Sequence, residues 1–585
     1  MNRAKLQWTG VANDAFVSMQ NTYAKDELLW RLLVKPFREL PDGARNTWKG
    51  EFWGKYMRGC ALICAYTQDD GLYAVLEKTV RDMLTTQDEL GRFATYTVET
   101  QFNGWDIWCR KYVMLGMQYF MEICRDDLLK AQIVQALKRH ADYIITRVGY
   151  EKGQIPVHET SKAWGAANSA SLLQPIVKLY KQTGEERYLA WAKSLIKNQQ
   201  SNGENIFVNA FENKKAPFEY GVKKAYEMIS CFEGLLEFYE VVGNRDCLTA
   251  CVQFADAILQ TDFTIIGGVG HYDEFLDNGK KMQVTDDRLW AVRQETCVTV
   301  TYCKYLAQLY AHTGKAAYLD AIERAFYNLY LGAYNDGTYV HNKIVPIFNS
   351  YSPVYNNVRP LKIGGEQSLG QYAYFGCCIA IGFALVGVLP WVGLTEKDGV
   401  AVLGLYEGGR YALNGESMLD LFVETGYPYD GAVRICVEKC VGIQTLKLRI
   451  PAWCESFTLV KNGTAMDARV CDGYAAVRVA GGDEIVLTMD MPYTIVYSES
   501  VNKDVSSLYA VEKGPLVLCA DSKEVDLQAS QTLCLDENGH AQGESADGKV
   551  HTLRKADGEK LILREYKSTA KEYYDVRNIS VWLNK

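Results

Sequence analysis

The sequence lacks the motifs on which several common classes of functional site depend. Its 585 residues include only 7 histidines, and these are dispersed, with no His-Glu-x-x-His and no paired Cys-x-x-Cys sequences. The usual zinc-protease and zinc-finger signatures are therefore absent. There is also no Gly-x-Ser-x-Gly nucleophile elbow, no Walker loop and no dinucleotide fingerprint between a strand and a helix. Any catalytic site has to be built in another way.

The chain also has no surplus of basic residues. It contains 63 Lys and Arg against 71 Asp and Glu, for a formal net charge of −8. This balance argues against nucleic acid and anionic membranes as partners. The one long apolar stretch, from Cys377 to Leu394, contains Pro390 and has no flanking Lys/Arg cluster, so it favours a buried helix over a membrane span.

Cysteine is the residue type that the chain has in unusual number. The count of 17 is odd, so the cysteines cannot all be paired, and the first ten residues show no apolar stretch typical of a secretory signal. We expect a cytoplasmic protein with reduced thiols. Most of these cysteines are then small buried hydrophobes, and any special ones must be found by their neighbours.

The first two-thirds of the chain repeats a helical hairpin. Similar junctions recur at intervals of 56, 60, 59 and 71 residues, and a period near 60 suits one pair of helices with their loops. Six such hairpins can close into an (α/α)6 barrel, which we predict for residues 1–395; an open helical solenoid is the alternative. The anchors of the five junctions are Tyr73, Leu129, Leu189, Leu248 and Leu319.

After residue 395 the apolar pattern changes from helical spacing to alternation. The segments 433–438 and 446–450 alternate apolar and polar residues, as half-buried strands do. Lys461-Asn462-Gly463 is typical of a tight turn between strands. We predict a β-sandwich region over residues 396–585, with a division into two modules, about 396–500 and 501–585, left open.

Two short cysteine sequences offer metal ligands. Glu295 and Cys297 are separated by one residue, and Cys377 and Cys378 are adjacent. One carboxylate and three thiols would suit tetrahedral Zn²⁺. Residues two apart share a side only in extended chain, so both members of the first pair can be ligands only from a stretch that enters a helix. The alternative is that these are ordinary buried cysteines.

Carboxylates form a second group of candidates. They lie in the long segment that begins with a glycine run at 267–270, where glycosidic cleavage would require an acid facing a nucleophile. A solvated acidic loop is the alternative. The candidates are Asp273, Glu274, Asp277, Asp286 and Asp287.

The order of these sequences resembles glycoside hydrolase family 127, the β-L-arabinofuranosidase-type enzymes. The run Thr264–Gly270, then Glu274-Phe275, Glu295-Thr-Cys297 and Gly376-Cys377-Cys378, follow in the family's order. The segments 312–319, 448–453 and 512–519 agree as well, and the resemblance extends from about residue 30 to the C-terminus. The chain departs from the family after the cysteine pair, where Ile379 to Ile381 replace the usual Pro-Pro-Asn.

The resemblance implies a retaining exo-glycosidase that removes a terminal furanosyl residue, β-L-arabinofuranose, from an oligosaccharide. It implies an (α/α)6 barrel followed by β-sandwich domains. It also implies that Cys377 is the nucleophile, that Glu274 is the acid/base, and that Zn²⁺ binds one carboxylate and three thiols. These ligands would be Glu295, Cys297, Cys377 and Cys378.

The sequence also allows other interpretations. The same fold could act on another sugar or catalyse a lyase or epimerase reaction with structural zinc, or it could be a non-catalytic carbohydrate-binding scaffold. A homodimer is also left open. The residues proposed to line the sugar pocket are Trp105, His158, Trp164, His271 and Tyr339.

Overall fold

The computed structural model combines a helical barrel with three large β-sheets among its described residues. It describes residues 1–43, 47–271, 274–284, 293–335, 347–359, 364–365, 367–369, 372–499, 507–571 and 577–585. No helix in these ranges combines the length and the apolar composition that a bilayer span requires. The apolar helix Cys377–Val388 has 12 residues, and all of them are buried.

Five helical hairpins account for the repeats in the described residues. Each predicted junction lies where the second helix of a hairpin begins, and three of the first helices end at a left-handed glycine, Gly184, Gly243 or Gly314. The hairpins are Gly50–Thr67 with Asp70–Leu84, Asp106–Ile123 with Asp127–Ile145, Leu173–Thr183 with Glu186–Asn198, Ala225–Val242 with Arg245–Thr261, and Thr296–Thr313 with Ala316–Ala325.

The first helices of these hairpins and Cys377–Val388 form a closed inner ring. Each contacts the next around the ring, and Cys377–Val388 packs against Gly50–Thr67 to close it. Glycine allows the closest approach in the ring: a Cβ on Gly54 would lie 1.8 Å from the carbonyl oxygen of Tyr112. The (α/α)6 barrel is therefore the fold of this region, and the open solenoid is wrong.

The sixth pair of helices differs from the expected hairpin. Cys377–Val388 is followed only by the short helix Pro390–Gly393 and then by a strand. Its outer neighbour is Val11–Met19, from the other end of the barrel sequence. Pro390 cannot continue the inner helix because it lacks the backbone N–H, so the chain leaves the barrel there. The helix Glu27–Val34 packs against the first hairpin.

Two sheets follow the barrel and face each other as a β-sandwich. The predicted turn at Asn462 and Gly463, both with positive φ, joins two of the strands. One sheet has the order Asn2–Arg3, Leu394–Lys397, Val400–Leu403, Thr445–Arg449, Tyr474–Arg478, Val470–Cys471. The other has the order Thr464–Ala465, Phe457–Lys461, Glu484–Met489, Ala432–Val441, Met418–Thr425, Gly409–Leu413, Lys5–Trp8.

The N-terminal residues thus belong to these sheets and not to the barrel. Asn2 pairs with Glu396, and Trp8 pairs with Gly409. A third sheet comes after residue 492 and has its own apolar core. Its strands are Tyr493–Tyr497, Tyr509–Lys513, Leu516–Asp521, Lys560–Glu565, Val550–Arg554 and Gly543–Glu544, with Asn578–Ser580 paired to the third of them and Asn357–Val358 paired to Asn578–Ser580.

Candidate active site

Glu295 and Cys297 lie where a strand turns into an inner helix. The strand Arg293–Glu295 pairs with Tyr351–Pro353, and the helix Thr296–Thr313 begins at the next residue. Glu295 keeps an extended backbone as the N-cap residue, with φ −89° and ψ 131°. The change from extended to helical chain lets both side chains face the same point, as their spacing required.

Cys377 and Cys378 are the first two residues of the sixth inner helix. Gly376 before them is extended, with φ −145° and ψ 176°. The ligand atoms of Glu295, Cys297, Cys377 and Cys378 all lie within 4.8 Å of one another, and all four residues are buried. We refer to these four residues as the thiol–carboxylate cluster. They come from two inner helices that are neighbours in the closed ring.

The cluster has strongly shifted pKa values. Burial is the main cause that raises the pKa of Glu295, Cys297 and Cys378. The pKa of Cys377 is instead well below its usual value, because Cys297 and Cys378 donate hydrogen bonds to its sulfur and because Lys55 and Lys224 add positive charge. Cys377 is therefore the thiol of the cluster that most readily becomes a thiolate.

The donor set fits a metal ion. Within the described part of the chain, the buried Oε2 atom of Glu295 has no hydrogen-bond partner, and a buried carboxylate oxygen without a partner is costly. Cys378 donates a long hydrogen bond of 3.4 Å to Oε1 of the same residue. Three thiols and one carboxylate at this spacing can hold a cation that would satisfy the oxygen and favour the ionised sulfurs.

A cavity of about 370 Å³ opens over the cluster. It contains three of the four cluster residues, together with the expected acid/base Glu274 and the expected pocket residues Trp105 and Trp164. Its lining residues are Trp48, Glu51, Lys55, Trp105, Trp108, Ala163, Trp164, Lys224, Tyr226, Glu227, Glu274, Glu295, Cys297, Gly365 and Cys377.

Glu274 is held in the cavity by Lys224. The two side chains form an ion pair, in which the Lys224 side chain is 7% exposed and that of Glu274 is 21% exposed. The backbone is fixed too, because the N–H of Ala225 donates to the Glu274 carbonyl at 3.0 Å. Glu274 is thus positioned from the start of the inner helix Ala225–Val242.

Aromatic rings make up much of the remaining wall. Trp48 and Trp105 meet edge to face, with ring centroids 5.8 Å apart, and Trp164 meets Phe275 at 5.1 Å. Trp164 is 37% exposed and has a left-handed backbone, with φ 52°. Such a conformation is costly for a non-glycine residue and is often found at functional sites. Rings of this kind suit contact with the apolar faces of a sugar.

The two histidines predicted for the pocket lie outside this cavity. The ring of His158 stacks on Tyr150, and Nδ1 of the buried His271 lies 2.7 Å from a carboxylate oxygen of Asp277. Neither histidine is among the described residues that line the cavity. Tyr339 lies outside the described residues, as do Asp273, Asp286 and Asp287.

Sequence reasoning missed a charged pair in the cavity, Glu51 and Lys55. Both lie in the first two turns of Gly50–Thr67, and their side chains are 3% and 1% exposed. Lys55 donates to Glu51 at 3.0 Å, and the indole of Trp108 donates to the other carboxylate oxygen. Their i,i+4 spacing on a mostly apolar helix, whose one further charged residue is Arg58, was the signal that could have identified them.

Their pKa values reflect burial and mutual charge. Burial raises the pKa of Glu51 to about 7, against the opposing effect of the Lys55 charge. Burial alone would lower the pKa of Lys55, but the charge of Glu51, supported by Tyr226 and Tyr112, keeps it well above its usual value. Lys55 is therefore a cation at neutral pH.

Comparisons with known proteins agree with the fold. The model of the β-L-arabinofuranosidase GH127 catalytic domain matches residues 9–386, and that of the GH127 middle domain matches residues 401–491. A non-reducing end β-L-arabinofuranosidase from Bifidobacterium longum subsp. longum is 23% identical over 518 residues, which cover 80% of this chain and 74% of that protein.

Solved structures resemble the whole chain. A GH127 β-L-arabinofuranosidase from Geobacillus stearothermophilus T6 has a TM-score of 0.76 at 18% identity, covering 99% of both chains. A second GH127 β-arabinofuranosidase also has a TM-score of 0.76 at 18% identity, covering 100% of this chain and 97% of that one. At this level of identity the similarity establishes a shared fold.

Proposed function

The chain belongs to the GH127 β-L-arabinofuranosidase family of glycoside hydrolases, and from this premise we propose that it removes a terminal β-L-arabinofuranosyl residue from oligosaccharides with retention of configuration. The observation that carries the proposal is the thiol–carboxylate cluster at the cavity that also contains Glu274. The names of the relatives support the choice of sugar.

Zn²⁺ is the metal that we propose for the cluster, held by Glu295, Cys297, Cys377 and Cys378. Sulfur-rich tetrahedral donor sets favour this ion. When bound, it would supply positive charge that favours ionised thiols. A cytoplasmic location and a homodimer stay predictions from the sequence.

In the first step the Cys377 thiolate attacks the anomeric carbon of the sugar. A carbon–sulfur bond forms as the bond from that carbon to the leaving oxygen breaks, and Glu274, which has taken up a proton in the enzyme–substrate complex, donates it to this oxygen. Lys224 positions the Glu274 carboxyl group for the transfer. The buried floor of the cavity keeps bulk water from the thiolate.

In the second step a water molecule replaces the departed group. Glu274, now ionised, accepts a proton from this water, and the water oxygen attacks the anomeric carbon. The carbon–sulfur bond breaks, the electron pair returns to Cys377, and the sugar leaves with its original configuration. Glu274 is again protonated for the next cycle.

The experiment compares Cys377→Ser with a matched cysteine elsewhere on an inner helix. Cys303 is buried as well, on the inner helix Thr296–Thr313, but does not belong to the cluster. We expect Cys377→Ser to lose at least about 10⁴-fold in turnover of an aryl β-L-arabinofuranoside, as losses of other catalytic nucleophiles do, and Cys303→Ser to keep its activity. Near-normal turnover by Cys377→Ser would overturn the proposal.

Mass spectrometry of the quenched wild-type reaction tests the covalent step directly. We expect a pentosyl adduct on the peptide that contains Cys377. Turnover without an adduct on this cysteine, combined with an active Cys377→Ser variant, would support the alternative in which the metal is structural and the barrel catalyses a different reaction.

A further inference from the structure

Above the Glu51 pKa of about 7, Glu51 and Lys55 form a neutral pair of opposite charges inside the cavity. Both side chains line it, although each is almost completely buried. A buried ion pair of this kind stabilises a protein little compared with apolar packing, because both charges lose their hydration. Packing alone therefore does not explain why this ion pair lies in the wall of the cavity.

The pair has hydrogen-bonding capacity that the protein does not use. Glu51 accepts one hydrogen bond at each carboxylate oxygen, from Lys55 and from Trp108, and each oxygen has a further lone pair. Lys55 has three N–H protons, but among the described residues Glu51 is its one strong acceptor; its Nζ otherwise lies 4.4 Å from the ring centroid of Tyr226. The cavity thus contains an acceptor and a donor 3.0 Å apart.

The pair lines the same cavity as Cys377, the cysteine to which we assign the attack. Trp48, just before Glu51, donates from Nε1 to the Gly365 carbonyl at 2.9 Å. A Cβ on Gly365 would lie 3.2 Å from that Nε1 and 3.1 Å from the Cys377 sulfur. Gly365 therefore connects Trp48, two residues before the helix Gly50–Thr67, with Cys377, where the reacting sugar ring has to bind.

We propose that Glu51 and Lys55 recognise two neighbouring hydroxyl groups of the sugar bound at Cys377, and so determine which sugar the enzyme accepts. The carboxylate accepts a hydrogen bond from one hydroxyl, and the ammonium donates to the oxygen of the next. The proposal rests on the glycosidase function proposed above and adds the residues that read the sugar ring.

The binding of deoxy sugars can show whether Glu51 and Lys55 contact the sugar hydroxyls or only support the structure of the cavity. The probes are methyl β-L-arabinofuranoside and its 2-deoxy, 3-deoxy and 5-deoxy analogues. Their affinities are measured by calorimetry in a Glu274→Gln background, which lacks the acid needed to expel methanol and keeps all four cluster residues. Glu51→Gln and Lys55→Met are then added separately to this background.

We expect each added variant to weaken binding of the parent sugar by about 10- to 100-fold, the usual value of a hydrogen bond to a charged group. The analogue that lacks the hydroxyl read by the mutated residue should bind the variant and the background equally. One deoxy analogue should be insensitive to Glu51→Gln and another to Lys55→Met. The hydroxyl missing from the first analogue and the hydroxyl missing from the second should be neighbours on the sugar. The zinc content should not change.

Glu237→Gln is the matched control. Glu237 lies on another inner helix and pairs with Lys178 at 3.0 Å, but it is not among the described lining residues of the cavity. We expect Glu237→Gln to leave all four affinities unchanged. Equal weakening of the parent and every deoxy analogue by Glu51→Gln and Lys55→Met would overturn the proposal, because it would indicate a structural role.

Hydrolysis by the wild-type enzyme is measured separately, so the two proposals can fail independently. A selective loss of affinity in the Glu274→Gln background, without hydrolysis by the wild type, would support the hydroxyl-reading pair and overturn the proposed reaction. Hydrolysis by the wild type without a selective loss of affinity would support the reaction and overturn the hydroxyl-reading pair. No binding of any probe would overturn the pair as a reader of this sugar.

Discussion

Two buried groups of ionisable side chains face the same cavity, and they differ in how their charge is balanced. The Glu51–Lys55 pair contains one carboxylate and one ammonium, joined at 3.0 Å. The thiol–carboxylate cluster contains four acidic groups within 4.8 Å of one another and has no cation among its members. One group is neutral by itself, whereas the other would gather negative charge as its members ionise.

The difference indicates where the protein needs a bound ion. Ionised groups in a protein interior have to be paired, hydrogen-bonded or bound to a metal. The pair meets this condition through its own residues, so it is free to hydrogen-bond a ligand. The cluster does not meet it, and Glu295 keeps a buried oxygen without a partner in the described part of the chain. The cluster should therefore depend on a bound metal ion, and the pair should not.

The largest effect is expected when the cluster loses a ligand that is not the nucleophile. Cys378→Ala removes one thiol and leaves Cys377 and Glu274 in place. Because losing an outer partner of a metal ligand already costs about 10- to 100-fold, we expect metal binding and turnover to fall by more than about 100-fold. Cys303→Ala, changed at a buried cysteine outside the cluster, should retain both; an active Cys378→Ala enzyme would contradict the account.

Breaking the pair should reduce stability instead of metal content. Lys55→Met leaves the buried Glu51 carboxylate without its cation, so we expect the free energy of unfolding in urea to fall by about 3–5 kcal/mol. Adding Glu51→Gln should recover part of this loss because no unpaired charge remains. If the double variant were less stable than Lys55→Met alone, the charge-pair explanation would be wrong.

Removing the metal should destabilise the protein by an amount that does not depend on the pair. A ligand that binds only the folded state stabilises it by about 2.7 kcal/mol at a free concentration 100 times its Kd. We expect this gain on adding Zn²⁺ to chelator-treated protein, equally in the wild type and in Glu51→Gln. Calorimetry of unfolding measures it, and a gain confined to the wild type would show that the two groups are coupled.

The smallest effect is expected when a ring is removed from the aromatic wall of the cavity, which belongs neither to the cluster nor to the pair. Trp164→Ala removes an exposed ring at the cavity and keeps the cluster and the pair. Because an aromatic contact contributes about 0.5–1.5 kcal/mol beyond its area, we expect KM for an oligosaccharide to rise about 2- to 10-fold with little change in kcat. A large fall in kcat would place Trp164 closer to the chemistry.

The sequence predicts the cluster better than the rest of the cavity, for physical reasons. Residues that are close in sequence can point to the same place only in certain backbone conformations. Glu295 and Cys297 can meet only where extended chain enters a helix, and the structure has this transition at residue 296. The apolar run from Cys377 likewise indicated the start of a buried helix. The barrel could be predicted for a similar reason, because each helical hairpin is a local unit that recurs at a regular interval in the sequence.

Residues that are brought together only by ring closure were harder to identify. Glu51 reaches the cavity only because its helix packs against Cys377–Val388 and closes the ring. Lys224 meets Glu274 because the chain at Phe275 pairs with Lys224, a pairing that no spacing in the sequence indicated. His158 and His271 had no spacing relation to any other candidate, and the structure places both outside the described lining of the cavity. The sixth outer helix was missed because it comes from the N-terminal end of the chain.

Elemental analysis of purified, fully reduced protein tests the central claim most directly. We predict one zinc per chain in the wild type and in Glu51→Gln, and almost none in Cys378→Ala. Metal-free wild-type protein that still hydrolyses an aryl β-L-arabinofuranoside, or zinc that Cys378→Ala retains in full, would contradict the assignment of the thiol–carboxylate cluster as the metal site.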